Sequence, residues 1–174
     1  MKRIALLLLL ALPLTVFTSC EGDPGPPGPP GLDGTSLLGT VFEVNANFNA
    51  SNEFRNFFSY PSTLQVFDSD VVLVYLLEET TPEGLDVWSL CPQTFFTPNG
   101  TLVYNFDYTA VDVSIYLYAD FNLNLAGPEF TQNQILRVAV VPADFGENID
   151  IFDMEAVMDA LNVSTDSIER LELD

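Results

Sequence analysis

Twenty-five carboxylates, two thiols and no imidazole set the chemistry open to this 174-residue chain. Nucleophilic triads and most general-base schemes need an imidazole or a paired lysine, and the single lysine, Lys2, sits at the extreme N-terminus. Zinc sites fail for want of thiol and imidazole ligands. Carboxylate chemistry, oxygen-only metal binding and aromatic surfaces remain. The densest acidic stretch is Asp144, Glu147, Asp150, Asp153 and Glu155, beside Gly146 and Asn148. Its oxygens make Asp144, Glu147, Asp150 and Asp153 the candidate ligands for calcium, the one cofactor left open. They do not keep the D-x-[DN]-x-[DN]-G rhythm of a calcium loop. The simpler reading is a solvated loop leading into a helix, whose N-terminus favours negative charge. Glycoside hydrolysis needs two carboxylates at a fixed separation in a cleft. A chain this acidic supplies such pairs by chance, so no catalytic residue is assigned.

A second chemistry is stacking. Tyr116 and Tyr118 alternate outward on one strand-like segment, and Tyr104 and Tyr108 lie on a neighbouring one. Flat rings beside Asp and Asn side chains suit sugars or the apolar patch of another protein. Packing within the sheet is the competing use of the same rings. Asp166-Ser167-Ile168 matches the D-[ST]-[apolar] pattern of O-glycosylation in Bacteroidota, which makes Ser167 a candidate acceptor.

The two thiols have different settings. Met1-Lys2-Arg3, an apolar run from Ile4 to Phe17 and then Thr18-Ser19-Cys20 form the three-part layout of an export signal. The apolar run is shorter than the roughly 20 residues of a membrane-spanning helix. Small Ser19 before Cys20 resembles a lipobox, with Phe17 standing where leucine is commoner. Cys20 is therefore expected to receive a diacylglycerol after cleavage of residues 1–19. Several acyl chains anchor stably where one does not. That commitment leaves Cys91 without a partner for an internal disulfide. Within Val87-Trp88-Ser89-Leu90-Cys91 it reads as a small buried hydrophobe.

Cleavage also removes Lys2 and Arg3, so Arg55, Arg137 and Arg170 face all 25 acidic residues. That balance excludes nucleic acid as a partner, because phosphate binding needs a basic surface. The absence of lysine from the whole mature chain fits adaptation to salty surroundings better than one cation site, which would concentrate its acids locally.

The elements that must position these groups follow from the pattern of the chain. From Gly22 to Ser36 glycine recurs at every third place, rich in proline, as in Gly25-Pro26-Pro27 and Gly28-Pro29-Pro30. This is the collagen period, in which only glycine fits at the axis of three polyproline chains. As one chain it predicts a stiff spacer of roughly 45 Å at about 3.1 Å per residue. As three it predicts a short homotrimeric stem favoured by confinement on a membrane. The bare spacer is the preferred reading.

Beyond it the period changes to two. Val41 to Asn49 places Phe42, Val44, Ala46 and Phe48 on one face, and Val111 to Ala119 places Val111, Val113, Ile115 and Leu117 inward. Val71 to Leu77, apolar throughout, predicts a strand covered on both faces. Thr94–Phe96 and Leu102–Phe106 flank Pro98-Asn99-Gly100, a hairpin signal. Leu136 to Val141 adds a strand closed by Pro142, and turns fall at Thr81-Pro82-Glu83-Gly84 and Ala126-Gly127-Pro128. The sum is a mainly all-β, antiparallel sandwich of roughly six to eight strands. Met154, Val157, Met158 and Leu161 form a helical stripe over Met154–Asn162, capped by Asp153 and expected against the sandwich edge or one end. Ser164 to Leu173 reads as a second short helix, with a last strand over Arg170 to Leu173 as the alternative. The expected organisation is a signal peptide over 1–19, a lipidated cysteine and spacer over 20–37, and the acidic sandwich with its C-terminal helix over 38–174.

Together, several segments resemble a group of small collagen-stub lipoproteins of Bacteroidota. They are Cys20 followed by acid, the repeat from Gly22 to Ser36, Val41-Phe42-Glu43-Val44, Asp70 to Tyr75, Leu85-Asp86-Val87-Trp88, and Val138 to Phe145. The resemblance implies an envelope compartment, with acidic Glu21 and Asp23 similar to a surface-export signal, and carries no activity with it. The lack of lysine departs from that group. The expected function is a non-catalytic lipoprotein anchored in the cell envelope, at the outer membrane, that presents an acidic sandwich to an envelope protein or glycan. A carboxylate-dependent glycan-processing enzyme and a calcium-stabilised adhesion module are the rivals.

Overall fold

The computed structural model describes residues 39–62, 64–142 and 149–171. The expected signal peptide, Cys20, the Gly22–Ser36 repeat, Asp144 and Glu147 lie outside the described residues.

Nine strands occur among the described residues: β1 (Thr40–Ala46), β2 (Arg55–Ser59), β3 (Val71–Thr80), β4 (Asp86–Leu90), β5 (Gln93–Thr97), β6 (Gly100–Tyr108), β7 (Asp112–Ala119), β8 (Gln134–Val141) and β9 (Glu169–Leu171). They form a five-stranded sheet in the order β4-β3-β8-β1-β9 and a four-stranded sheet in the order β2-β7-β6-β5. All pairs are antiparallel except β1 with β9. The all-β sandwich is thus present, with more strands than the six to eight expected. The count was low because β2, whose consecutive phenylalanines blur the alternation, and three-residue β9 leave faint signals.

The pleat explains the core. Phe42, Val44, Val72, Val74, Leu136 and Val138 of the five-stranded sheet face Phe58, Leu102, Tyr104, Val113 and Ile115 of the other, all buried. Cys91 lies in the same layer, and burial pushes its thiol up to about 12. Each fully buried side chain of this size contributes about 1.5–3 kcal/mol. At the β5–β6 hairpin the residue with positive φ is Gly100, at 139°, while Pro98 and Asn99 make the turn. A Cβ at Gly100 would collide with the Asp120 carboxylate, which accepts from the Thr101 N–H at 2.8 Å. Val111, expected inside, is exposed. The strand begins one residue later, where the Thr109 hydroxyl donates to Asp112 at 2.6 Å and turns the chain.

Two short α-helices occur among the described residues, α1 (Pro128–Thr131) and α2 (Met154–Ala160). Asp153 caps α2 as expected, its carboxylate accepting from the N–H groups of Glu155 and Ala156 at 3.0 and 3.2 Å. The stripe Met154, Val157, Met158 and Leu161 is buried. It lies against Val41, Leu73, Tyr75, Ala139 and Val141, on the outer face of the five-stranded sheet and not at an edge or end. That sheet carries apolar residues on both faces of β3 and β8, and a face needs a cover where an edge does not. The Tyr75 hydroxyl donates to Ile151 O at 2.6 Å and ties the approach to α2 onto the sheet.

The expected short helix after Ser164 is replaced by one 3-10 turn, Thr165–Ser167, followed by β9. Arg170 of β9 pairs with Glu43 of β1 at 2.8 Å, which favours the strand over continued helix.

Candidate functional site

The pleat of the four-stranded sheet decides which aromatic residues reach solvent. Cross-strand partners share a face. Arg55 pairs with Tyr116 and Phe57 with Ser114 across β2 and β7, Tyr118 with Val103 across β7 and β6, and Thr94 with Val103 and Phe96 with Thr101 across β5 and β6. All of these belong to the outer face. Phe57, Tyr116, Tyr118 and Phe96 therefore form an oblique strip over all four strands, with Val103 between the last two. Three inter-strand gaps make it about 14 Å wide across the strands alone. Phe57, Tyr118 and Phe96 are 60%, 67% and 88% exposed, and Tyr116 is half-buried.

Tyr116 is half-buried because Arg55 lies on it. The guanidinium carbon stands 3.8 Å from the Tyr116 ring centroid and 5.8 Å from that of Phe57. One terminal nitrogen donates to Asp107 at 3.0 Å and to the Ser114 hydroxyl. The cation is thereby neutralised and fixed flat on the face, with the geometry of a cation–π contact. Asn105 and Thr94 place an amide and a hydroxyl beside the rings, on the same face by register. The arrangement offers flat π surfaces bordered by hydrogen-bonding groups.

Of the four tyrosines expected to form a binding surface, this face unites Tyr116 and Tyr118 only. Tyr104 is a correction, being fully buried between the sheets. Its hydroxyl donates to Phe130 O at 2.6 Å, and its ring meets Phe48 and Phe95 edge-on at 5.9 and 5.7 Å. Burial raises its pKa. It pairs with Leu117, on the inner side of the pleat. Tyr108 shares that inner parity but sits at the end of β6, half-exposed and stacked on Phe106 at 6.4 Å, away from the strip.

Phe57, Phe96 and Arg55 were not anticipated. A signal for the two phenylalanines exists in the doublets Phe57-Phe58 and Phe95-Phe96. Neighbours in a strand point to opposite faces, so one ring of each doublet must face outward.

The other candidates are dispersed. Asp150 and Asp153 are exposed, and both carboxylates serve backbone N–H groups, of Phe152 and of the first turn of α2. No group of three or more His, Cys, Asp or Glu side chains placed to hold a metal occurs among the described residues. Ser167 is exposed, and its hydroxyl donates to Ser164 O at 2.7 Å. A hollow of about 520 Å³ at one end of the sandwich is lined by Asn47, Asn49, Phe54 and Asn124. The oxygens of Asn47 and Asn49 there accept from loop N–H groups, which commits them to local structure. Comparison of the chain with family models, curated proteins and solved structures gave no match.

Proposed function

We propose that the protein is a non-catalytic envelope lipoprotein that binds neutral glycan through the outer face of its four-stranded sheet. In this reading Cys20 carries the lipid, the Gly22–Ser36 repeat holds the domain off the outer membrane, and the sandwich presents the face to solvent. The observation that carries the proposal is the oblique strip Phe57, Tyr116, Tyr118 and Phe96. Exposed aromatic surface of this extent on one sheet face marks a binding site more often than chance. Glycan suits it because sugar rings stack on flat aromatic faces while their hydroxyls meet the Asn105 amide and the Thr94 hydroxyl. Neutral glycan suits it because Arg55 is already paired and the chain as a whole is anionic, at −20. The same charge opposes a second copy of the chain on this face.

Affinity electrophoresis of the full chain in gels containing neutral or anionic polysaccharides tests the reading. Retardation by neutral glycan is expected, and Tyr118→Ala or Phe96→Ala should weaken it about fivefold, since a stacked ring is worth on the order of 1 kcal/mol. Unchanged mobility in every neutral gel, or retardation that both variants keep, would overturn it. Capture of an envelope protein in place of glycan, lost in the same variants, would replace the glycan with a protein partner.

A further inference from the structure

On the opposite side of the molecule, two of the three arginines among the described residues converge on one carboxylate. Glu43, buried on the outer face of β1, receives Arg137 Nε at 3.3 Å and Arg170 Nε at 2.8 Å. The trio holds one more positive than negative charge. Arg170 is largely exposed, while the Arg137 side chain is 7% exposed. Burying a guanidinium is costly unless its donors are used. Here only Nε has a carboxylate, and Nη1 meets the Met158 sulfur at 3.6 Å, a weak acceptor. The second terminal nitrogen has no protein acceptor among the described residues and is not enclosed, the Tyr60 hydroxyl being the buried side-chain polar atom without a partner there, so this end of Arg137 is open to solvent and to a ligand. The guanidinium carbon stands 4.0 Å from the Trp88 ring centroid, which fixes its plane.

This under-used cation lines a groove of about 380 Å³ between the β3–β4 hairpin and α2. Trp88 and Met158 form apolar wall, while Asp86, Glu155 and Asp159 bring carboxylates to the same groove. A carboxylate would satisfy the free end of Arg137 by a forked contact. The acids disfavour a multiply charged anion and favour a cationic group. Both demands are met by one small molecule with the two charges adjacent.

We propose that the groove binds a free α-amino acid with an apolar side chain, its carboxylate on Arg137, its ammonium toward the acidic wall and its side chain along Trp88. This site is separate from the aromatic strip and independent of the glycan reading. Calorimetric titration of the full chain in detergent micelles with L-phenylalanine, 3-phenylpropanoate and phenethylamine tests it. Saturable binding is expected for L-phenylalanine. The acid lacking the ammonium should bind about tenfold more weakly, a loss of about 1.4 kcal/mol, and the amine lacking the carboxylate not at all. Arg137→Lys, which keeps the charge but loses the fork, should weaken L-phenylalanine about tenfold, with thermal melting run alongside to show that it folds. Asp159→Asn, at an exposed position, should narrow the gap between L-phenylalanine and 3-phenylpropanoate and serves if the arginine variant does not fold. Absence of saturable binding by L-phenylalanine, or equal affinity for 3-phenylpropanoate, would overturn the proposal.

Discussion

The outer face of the five-stranded sheet carries Val41, Leu73, Tyr75, Ala139 and Val141, all covered by α2 and its flanks, whereas the outer face of the four-stranded sheet carries Phe57, Tyr118 and Phe96, all open to solvent. Both faces are apolar in part, yet among the described residues a helix covers the first and none covers the second. The covered face is built mostly of aliphatic side chains together with Tyr75, and its charges gather around the buried Glu43. The open face alternates rings with Arg55, Asp107, Asn105 and Thr94, so that water can reach a hydrogen-bonding group beside every ring. A face of the first kind demands a cover to be stable, while one of the second kind tolerates exposure and keeps its rings available. The difference separates residues that stabilise from residues that bind, although the residue types overlap.

Five substitutions and one pH series probe that contrast. The sharpest is the same charge placed on each face. Ala139→Asp would bury an unpaired carboxylate under α2 and should lower the unfolding free energy by about 3–5 kcal/mol, whereas Tyr118→Asp should cost less than about 1 kcal/mol. Urea denaturation of both variants checks this, and equal losses would mean that the two faces do not differ as described. Glu43→Gln leaves Arg137 buried beside a neutral amide, with an expected loss of about 3 kcal/mol in the same assay. An intermediate effect belongs to the layer between the sheets, where the Cys91 thiol is raised by burial from 9.0 to about 12. Below pH 9 both folded and unfolded chains hold the proton, and its contribution is complete. Between pH 9 and 12 the unfolded chain loses the proton first, so stability should fall as pH rises, and Cys91→Ala should make that fall shallower. Chemical denaturation at stepped alkaline pH measures it. Tyr75 and Tyr104, also raised by burial, add to the same trend. The smallest effect is expected for Asp153→Ala, which removes the cap of α2 at a cost of about 1 kcal/mol. Hydrogen exchange should show this loss over α2 and leave the four-stranded sheet unchanged.

The strand-rich architecture was legible because period-two alternation survives in β1 and β7 and because β3 is apolar on both faces. The α2 stripe and its cap were equally plain, with Asp153 immediately before Met154. The binding face was half legible. Tyr116 and Tyr118 were placed outward by the alternation of β7, but Tyr104 was placed with them although its register opposes Leu117. Proximity along the chain says nothing about which side of the pleat a neighbouring strand presents, since a shift of one residue inverts the face. β2 and the position of α2 were not legible, because each is fixed by partners distant in sequence, and β9 was legible only as the alternative to a short helix.

The sequence by itself determined the charge, the exclusion of imidazole and zinc chemistry, the alternation of the main strands and the amphipathic helix, all of which depend on residue type and local spacing. Only the tertiary structure decided that Arg55 lies over Tyr116, that Glu43 gathers Arg137 and Arg170, and that one sheet face is covered while the other stays open. Those outcomes depend on cross-strand register and on where a distant helix docks. Both are set by the packing of the whole chain.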